Sequence, residues 1–557
     1  MIADEFDFVV VGSGSAGGVL VNRLSESGAY KVLCLEAGTR GTGHIWTHPP
    51  AGMAMMDTPS VNWQFESEPH ESTGHRRIYV SRGKILGGSS AINGMIYNRG
   101  QRMDYDGWAQ QGCLGWSYDD VLPYLKKLES TTLGEDAYRG RDGPMRVSEA
   151  ARTAPFYDVF IAAAEAVGLT QNPDYGGASQ DGVAMAQQTI HKGIRDSTAT
   201  RYLAPARRRT GVSILQGAEA TSLILDGKTC VGVRYRHKGQ DLEVRARREV
   251  IVSCGAALSP KLLELSGIGN PDILAEAGIT PRHALPGVGE NLRDHFGALM
   301  KWQFRTRNLS IARLGRGWRL AREILRYGLF RTGFISQGIG TMRVFARSRE
   351  GVVDPDVILL AAPFILDKTP AGQRRMSPME GCFMYAHPSR TETTGSVHIR
   401  SSDPDVAPRI DMRFLGTETD RRVLVASVRI ARRIMAAAPM APHVARELMP
   451  GPEVQSDDDI LDAVRRTGNI THHMVGTCRM GRDPMAVVDE RLRVHGLTGL
   501  RVADASIMPV MTSGNTSIPC IMIGEKCADM ILEDARASGP TDIGHPAGGI
   551  SDPTKGG

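Results

Sequence analysis

The stretch FDFVVVGSGSAG, residues 6–17, decides the fold of this chain. A short apolar run at 8–11 meets three glycines, and a run compatible with a helix follows them. In such a turn Gly12 allows a sharp bend after a strand, Gly14 leaves room for a pyrophosphate against the backbone, and Gly17 lets the helix pack closely on the strand. Free N–H groups and the dipole at the start of that helix favour a bound phosphate.

A second apolar run completes this unit. Residues 31–35 form a predicted strand that ends on Glu36, about 20 residues beyond the last glycine, where an acid holds the hydroxyls of a ribose. Strand, glycines, helix, strand and acid in this order indicate a dinucleotide-binding unit. The alternative is an ordinary βα turn without a ligand. The spacing alone does not separate FAD from NAD.

Length and composition limit the class of protein. A chain of 557 residues is too long for one simple core, so two or more domains are expected. With 41% hydrophobic and 23% charged residues, the chain has the composition of a soluble globular protein. A net charge of +5 without a dense basic block does not favour nucleic-acid binding.

Cysteine usage and the start of the chain bear on location. The eight cysteines are scattered, form no CxxC pair and lack zinc spacing, so we expect buried free thiols and no metal site. The first strand begins almost at Met1, which leaves no room for a signal peptide. No stretch is apolar and long enough to span a bilayer. These features predict a cytoplasmic protein.

A second glycine-rich stretch, RGKILGGSSAING, occupies residues 82–94. Two glycine clusters joined by Ser89-Ser90 indicate backbone pressed against a flat ligand, with N–H and hydroxyl donors available. The alternative is a flexible loop. The apolar residues Ile85, Leu86 and Ile92 instead favour a buried segment.

The middle of the chain shows helical and then β patterns. Helices are predicted at 119–129 with a kink at Pro123, at 156–167 and at 195–203. Strand patterns between 212 and 252, with a turn at Asp226-Gly227, predict a small antiparallel meander that returns to the main sheet. A further strand then runs into a glycine and a helix at 255–269, near the same ligand.

Residues 313–332 form a candidate basic amphipathic helix. One face carries Leu314, Trp318, Ala321 and Leu325, while arginines occupy mostly the other faces. Such helices can lie on membranes. The alternative is a half-buried helix that caps a domain and keeps its arginines in water.

The C-terminal part holds a third group of motifs. These are THHMVGTCRMG at 471–481, GLRVADAS at 499–506 and GNTSIP at 514–519, followed by a helix to about residue 532. Pro519 suits the first turn of that helix, and Thr516 or Ser517 is placed to cap it. A pair of histidines alone is more often structural or a metal ligand pair, but no cluster of Cys, Asp or Glu accompanies this one.

Taken together, these stretches resemble the glucose-methanol-choline (GMC) family of flavin oxidoreductases over most of the chain. The segments 82–94 and 255–269 look like its two signatures, and 473–481 and the Asn515 segment look like its active-site strings. Features at 62–70, 102–108 and 502–509 resemble its choline dehydrogenase and alcohol dehydrogenase branch. The resemblance implies FAD as cofactor and a small-molecule alcohol as substrate.

The resemblance also implies an α/β fold, α+β overall. We expect a Rossmann-like FAD-binding domain with a parallel sheet and the small meander, and a substrate-binding domain built on a mixed or antiparallel sheet with helices. The predicted division is 1–160 for the FAD domain, 161–295 for its continuation with some substrate-domain segments, 296–455 for the substrate domain, 456–536 for the C-terminal FAD part, and 537–557 for a disordered tail.

Roles for site residues follow from the same resemblance. The spacing H-x-x-G-T selects His473 over His472 as general base, with a pKa near its ordinary value, and Asn515 as hydrogen-bond partner of the substrate oxygen. Ile92 stands where covalently flavinylated relatives carry histidine, so FAD is expected to be non-covalent. The predicted FAD contacts are Gly12, Gly14, Ser15, Gly17, Glu36, Arg82, Gly83, Gly88, Ser89, Asn93, Gly94, Ala218, Asp504, Ala505, Asn515 and Thr516.

Several alternatives stay open at this point. Some relatives are hydroxynitrile lyases or fatty-acid photodecarboxylases, and a non-enzymatic flavin-binding protein is a third alternative. The electron acceptor is oxygen, a quinone or another carrier, and a quinone would suit peripheral contact of the basic helix with the inner face of a membrane. Ser517 and Cys520 stand where the branch often has Asn and Thr, so the alcohol itself is not specified.

Overall fold

The computed structural model describes residues 5–40, 45–55, 57–368 and 374–537. The predicted disordered tail lies outside these residues, apart from Ala537, which ends the last helix. Two sheets of seven strands each organise the described chain. Their strands, numbered in chain order, are β1 Glu5–Val11, β2 Val32–Glu36, β3 Gly182–Met185, β4 Val212–Gln216, β5 Ala218–Asp226, β6 Thr229–His237, β7 Gln240–Val252, β8 Phe296–Phe304, β9 Met342–Ala346, β10 Val357–Ala362, β11 Gly381–Pro388, β12 Val444–Met449, β13 Asn469–Ile470 and β14 Leu500–Val502.

Helices and short strand pairs complete the described chain. The helices are α1 Gly17–Leu24, α2 Arg102–Gln110, α3 Tyr118–Leu128, α4 Phe156–Ala166, α5 Ala204–Ala206, α6 Ser259–Leu265, α7 Pro271–Glu276, α8 Gly317–Phe330, α9 Glu418–Ala436, α10 Asp457–Thr467 and α11 Ser517–Ala537. The short pairs are Phe65–Glu66 with Tyr79–Val80, Glu129–Ser130 with Met145–Arg146, Ser148–Glu149 with Gln187–Gln188, Ile190–His191 with Ile194–Arg195, Ile268–Gly269 with His283–Ala284, Leu366–Lys368 with Arg374–Met376, and Ser396–His398 with Arg409–Asp411.

The first sheet has the order β4-β2-β1-β7-β6-β5, and β14 pairs with β7. Strands β4, β2, β1, β7 and β14 pair in parallel. The last four residues of β1 are buried between its neighbours, and α1 and α11 pack against each other over the same core. Ligands of such sheets bind at the carboxyl ends of the strands. The predicted Rossmann-like α/β architecture is confirmed.

The antiparallel meander is confirmed for β5, β6 and β7, and its first turn lies at Asp226 and Gly227 as predicted. The assignment of 213–215 to this meander is wrong. Strand β4 instead lies at the opposite edge of the sheet, parallel to β2. The helical segment 199–206 precedes it, and such a segment supplies the crossover that a parallel strand needs.

The second sheet is antiparallel throughout, in the order β12-β8-β11-β10-β9-β3, with β13 paired to β8. Helices α4, α9 and α10 share its apolar core. The mixed or antiparallel sheet expected for the substrate domain is thus formed around β8 to β12, whereas Ser396–His398 pairs separately with Arg409–Asp411. Strands β3 and β13 come from outside 296–455, and the domain boundaries themselves stay predictions.

Most predicted helices are present. Helix α3 carries Pro123 inside it and begins with a capping box at Ser117, and α4 covers the predicted segment at 156. The segment predicted at 195–203 becomes helical only from Ala199, since Arg195 ends a short strand.

Helix α8 differs from its prediction in both extent and burial. It runs from Gly317 to Phe330, and Leu314 belongs to a short 3-10 turn before it. The inward side carries the buried Glu323 and the half-buried Tyr327, whose hydroxyl donates to Gly193 O at 2.9 Å. Leu320 is half-buried, but five large apolar side chains are 56–70% exposed, which differs from the half-buried alternative: Trp318, Ile324, Leu325, Leu329 and Phe330.

Candidate active site

A cavity of about 1380 Å³ is lined by residues of both sheets. Pockets for drug-sized ligands measure about 300–1,000 Å³, so this one has room for a dinucleotide and a small substrate. Every predicted cofactor and catalytic residue lines the cavity except Gly17. Gly17 instead packs helix α1 onto the turn below it, which is the role predicted from its position.

The glycine turn leaves one open position facing the cavity. A Cβ on Gly17 would lie 1.9 Å from the carbonyl oxygen of Gly12, and one on Gly12 would lie 2.5 Å from Ser253 O. A Cβ on Gly14 would meet nothing closer than 4.0 Å, and Gly14 lines the cavity. The turn is therefore closed on the protein side and open where a pyrophosphate would lie.

Glu36 lies at the end of β2 with both carboxylate oxygens engaged. One accepts from Gly38 N at 2.7 Å, and the other accepts from Ser13 N at 3.2 Å and Ser13 Oγ at 2.5 Å. Burial raises the pKa of Glu36, while these hydrogen bonds act in the opposite direction. The oxygen that accepts only from Gly38 N keeps a lone pair for a ribose hydroxyl.

The second glycine stretch packs directly on the first. A Cβ on Gly88 would lie 2.8 Å from Gly14 Cα, so the two turns approach one another closely beside the cavity. Arg195 fixes the far end by donating to Asn93 Oδ1 and Asn93 O, both at 2.7 Å. The sequence did not indicate this buried arginine, whose pKa burial lowers to about 9.

Asp504 connects β14 to the start of α6. Its Oδ2 accepts from Gly255 N at 2.8 Å and Ser259 Oγ at 2.5 Å, and its Oδ1 accepts from Ser506 N at 2.7 Å. Both Asp504 and Ala505 line the cavity. The glycine after β7 and the C-terminal motif therefore meet at one place, as predicted.

His473 and Asn515 face one another in the cavity. Asn515 Nδ2 lies 2.9 Å from His473 Nε2. On the other side of the ring, His473 Nδ1 lies 2.7 Å from Thr471 Oγ1 and 3.0 Å from His295 Nδ1. The predicted pair is thus brought together, and a second histidine lies behind it.

The partners assign the protons on both rings. His295 Nε2 lies 2.7 Å from Ser389 O, which only accepts, so the proton of neutral His295 is on Nε2 and its Nδ1 accepts. His473 must then donate from Nδ1, which leaves a lone pair on Nε2. That lone pair accepts from the Asn515 amide, 2.9 Å away.

The expectation of an ordinary histidine pKa is wrong. His473 is half-buried in the cavity wall, and desolvation by the surrounding protein holds its pKa well below the usual value, helped by His295, His387 and Arg343. Burial also lowers the pKa of His295 to about 4. Both rings are therefore neutral at physiological pH, which keeps Nε2 of His473 available as a base.

Four further residues near His473 were missed by the sequence analysis. Asp294 Oδ1 accepts from His473 N at 2.8 Å, and burial raises the Asp294 pKa to about 7. His295, His387 and Arg343 reach the site from strands of the second sheet and the residue before β8. None of them belongs to a recognisable local motif, so no signal in the sequence marks them.

Comparison with known proteins identifies the family of this chain. Residues 6–297 and 391–524 match the N- and C-terminal parts of the GMC oxidoreductase family. The chain belongs to the GMC oxidoreductase family. It is therefore an FAD-dependent oxidoreductase of the alcohol dehydrogenase or oxidase class, and the glycine turns and Glu36 provide a site that fits FAD.

Individual GMC relatives are similar over nearly their whole length. The oxygen-dependent choline dehydrogenase of Brucella ovis is 40% identical over 95% of this chain and 96% of its own, and that of Photobacterium profundum is 36% identical over 95% and 93%. The crystal structure of pyridoxine 4-oxidase from Mesorbium loti has a TM-score of 0.84 at 29% identity, covering 95% of this chain and 99% of its own. Formate oxidase has a TM-score of 0.89 at 25% identity, covering 96% and 100%.

Two further observations bear on other kinds of site. Within the described ranges, no group of three or more His, Cys, Asp or Glu side chains is arranged to hold a metal ion. No helix in the same part of the chain combines the length and apolar character needed to cross a membrane.

Proposed function

We propose that this GMC enzyme oxidises an alcohol with His473 as general base and Asn515 as hydrogen-bond donor to the substrate oxygen. The observation that carries the proposal is the lone pair on His473 Nε2, held by the bonds behind the ring and directed at the amide of Asn515. A base and a donor at one point are what removal of a hydroxyl proton requires.

The residues divide the proton chemistry between them. The substrate hydroxyl enters between the two groups, donates to His473 Nε2 and accepts from Asn515 Nδ2. As the proton moves to Nε2, the amide stabilises the negative charge that develops on oxygen. The new imidazolium keeps its proton on Nδ1, where His295 Nδ1 and Thr471 Oγ1 both lie within hydrogen-bond distance. FAD, when bound, supplies the acceptor for the hydride of the carbinol carbon.

The same proposal covers how FAD is held. Gly12, Gly14 and Ser15 would receive the pyrophosphate at the start of α1, and Glu36 the ribose. The start of α11 would lie towards the pyrimidine ring, where its dipole favours negative charge. Ile92 offers no nucleophilic atom at the position used for covalent attachment, which supports non-covalent binding.

Alcohol-dependent bleaching of the flavin under anaerobic conditions tests the function. We expect at least one class of alcohol to bleach the purified yellow protein in a stoichiometric reaction, without any added acceptor. Cleavage of a cyanohydrin without bleaching would favour the lyase alternative. Light-dependent loss of CO₂ from a fatty acid would favour the photodecarboxylase. Either outcome without alcohol oxidation would contradict the proposal.

For the electron acceptor we propose a quinone reached from a membrane surface, with the protein on the cytoplasmic side. The exposed apolar side chains of α8 are flanked by Arg316, Arg319, Arg322 and Arg326. Ile311 before the helix and Phe334 after it both line the cavity, so α8 stands next to the site. An apolar face rimmed by arginines suits an anionic lipid surface.

Vesicle sedimentation tests this membrane contact. We expect the protein to sediment with vesicles of phosphatidylcholine and phosphatidylglycerol, and the triple variant Trp318→Ser, Leu325→Ser, Leu329→Ser to bind at least about tenfold more weakly because it loses buried apolar area. Leu114 and Val353 are similarly exposed but lie outside α8, so Leu114→Ser, Val353→Ser is the matched control. Wild-type protein left in the supernatant, or an equal loss in the control, would contradict the contact.

A further inference from the structure

Arg343 is a buried cation at the active site without an acidic partner. It lies on β9, is 2% exposed and lines the cavity. Its Nη2 donates to Asn515 Oδ1 at 2.5 Å, and its buried Nε has no hydrogen-bond partner within the described chain. No Asp or Glu of the described residues lies within ion-pair distance of it. The ring of Phe345 lies 5.9 Å from Arg343 Cζ, so the guanidinium has an aromatic neighbour but carries its charge into the site without a neutralising acid.

Three other buried arginines have acidic partners: Arg99 and Arg139 pair with Glu129, and Arg501 pairs with Glu249. Buried Arg195 lacks an acidic partner within the described chain, but its guanidinium donates to oxygens of Thr47 and Asn93. A buried charge is costly unless it is paired or fully hydrogen-bonded. Desolvation lowers the pKa of Arg343, and its charge in turn lowers the pKa of His473. A bound anion would supply the acidic partner that Arg343 lacks and would offset the cost of burying its charge.

Arg343 has the geometry for one class of partner. A guanidinium binds carboxylates through parallel N–H donors and is the usual choice where such groups are recognised. The neighbouring rings of His295, His387 and His473 are neutral, because burial lowers the pKa of each. Among the cations that line the cavity, Arg343 bonds directly to the Asn515 side chain, whereas Arg82 donates to the backbone carbonyl of His472.

We infer that the alcohol substrate carries a carboxylate that pairs with Arg343. This inference rests on the proposed function, since it adds the substrate class to the same site. Arg343 and His473 both bond to the side-chain amide of Asn515. A substrate with its carboxylate on Arg343 and its hydroxyl on His473 therefore has only a few bonds between these two groups. Short hydroxy acids meet this requirement.

A carboxylate substrate is opposite in charge to choline, for which the relatives in Brucella ovis and Photobacterium profundum are named. Choline is a quaternary ammonium alcohol, and its positive charge would be placed beside the guanidinium of Arg343. Like charges at short range in a poorly solvated site repel strongly. Choline is therefore expected to be a poor substrate, despite 40% identity to choline dehydrogenase.

Matched substrates that differ in charge test the inference. The probes are 2- and 3-hydroxybutanoate, their methyl esters and choline, compared by the limiting rate of anaerobic flavin reduction divided by the apparent Kd of the holoenzyme for each probe. We expect the wild type to prefer the acids over their esters by at least about thirtyfold, as for loss of a buried charge pair. Arg343→Met should abolish this preference, and Arg343→Lys, which keeps the charge, should restore part of it.

Binding of butanoate, which lacks a hydroxyl, gives a readout independent of turnover. Perturbation of the flavin absorbance or calorimetry should show wild-type binding that weakens at least about tenfold in Arg343→Met. If Arg343→Met loses FAD, the preference of the wild type for acids over esters and the partial preference of Arg343→Lys still test whether Arg343 binds a carboxylate. Esters or choline as efficient as the acids would overturn the inference and leave the proposed function intact.

Two remaining outcomes are also distinguishable. If Arg343→Met slows acids and esters equally and leaves butanoate binding unchanged, Arg343 only positions Asn515, and the inference is overturned. If butanoate binds through Arg343 but no alcohol bleaches the flavin, the anion site is supported while the proposed alcohol oxidation fails.

Discussion

His473→Gln is expected to lower the anaerobic rate of flavin reduction by alcohol about 10²- to 10⁴-fold, with FAD content unchanged. Glutamine can still bond to Asn515, but it has no lone pair of sufficient basicity to take the hydroxyl proton. Rapid-mixing absorbance measurements on the purified holoenzyme give the rate. The loss is expected in the rate at saturating substrate, because the proton is removed in the chemical step.

The adjacent histidine supplies the matched control. His472 also lines the cavity, but its backbone carbonyl accepts from Arg82 and its ring lies near Ser81 N rather than Asn515. His472→Gln should reduce the rate less than about tenfold, since it removes no group that bonds to the substrate. Equal losses in the two variants would contradict the assignment of the base.

The pH dependence of the same rate gives a second readout. A base works when unprotonated, so activity is present above its pKa and lost as pH falls through it. Because the pKa of His473 is held well below its ordinary value, the wild-type rate should stay level through neutral pH and fall only in acid. Because burial raises the pKa of Asp294 to about 7, the profile is measured in Asp294→Asn as well, and a fall near pH 7 that persists in that variant would contradict the low pKa of His473.

Gly17→Ala is expected to abolish FAD retention by disrupting the turn itself. The added Cβ would lie 1.9 Å from Gly12 O. Gly12 directly follows β1 and Gly17 begins α1, so the backbone of neither residue is free to move away. The cost should reach about 3 kcal/mol or more, well above the helix propensity that alanine gains. Flavin absorbance after purification and the apparent melting temperature measure the effect.

Two other glycines make the prediction specific. Gly107 lies in α2, and a Cβ added there would have nothing within 4 Å, so Gly107→Ala should leave FAD content and melting temperature unchanged or slightly improved. Gly14→Ala should leave the apoprotein stable but weaken FAD binding, because its Cβ would enter the space of the pyrophosphate. A yellow, fully stable Gly17→Ala protein would contradict the proposed role of the turn.

The sequence is informative where structure depends on near neighbours. The turn from Gly12 to Gly17 is determined by contacts within six residues and by one following strand, so its geometry could be predicted. The edge position of β4 could not, since the order of strands depends on where a crossover packs. Likewise the periodicity of α8 predicts a helix, but does not decide whether its apolar face meets protein or solvent.

In the active site too, residues within local motifs could be predicted and residues brought in by tertiary structure could not. His473 and Asn515 could be assigned because each lies in a motif. His295 and Arg343 could not be assigned, because neither lies in a distinctive motif. His295 is 178 residues from His473 in the sequence, and Arg343 is 172 residues from Asn515. The pKa of His473 was mispredicted for the same reason, since the desolvation and the charge of Arg343 come from tertiary structure.

Anaerobic titration of the wild-type flavoprotein with alcohols tests the central claim most directly. We predict that at least one alcohol, with hydroxy acids first among them, bleaches the flavin fully, and that His473→Gln keeps its FAD but bleaches about 10²- to 10⁴-fold more slowly. A yellow wild-type protein that no alcohol bleaches, or one whose bleaching is unaffected by loss of His473, would contradict it.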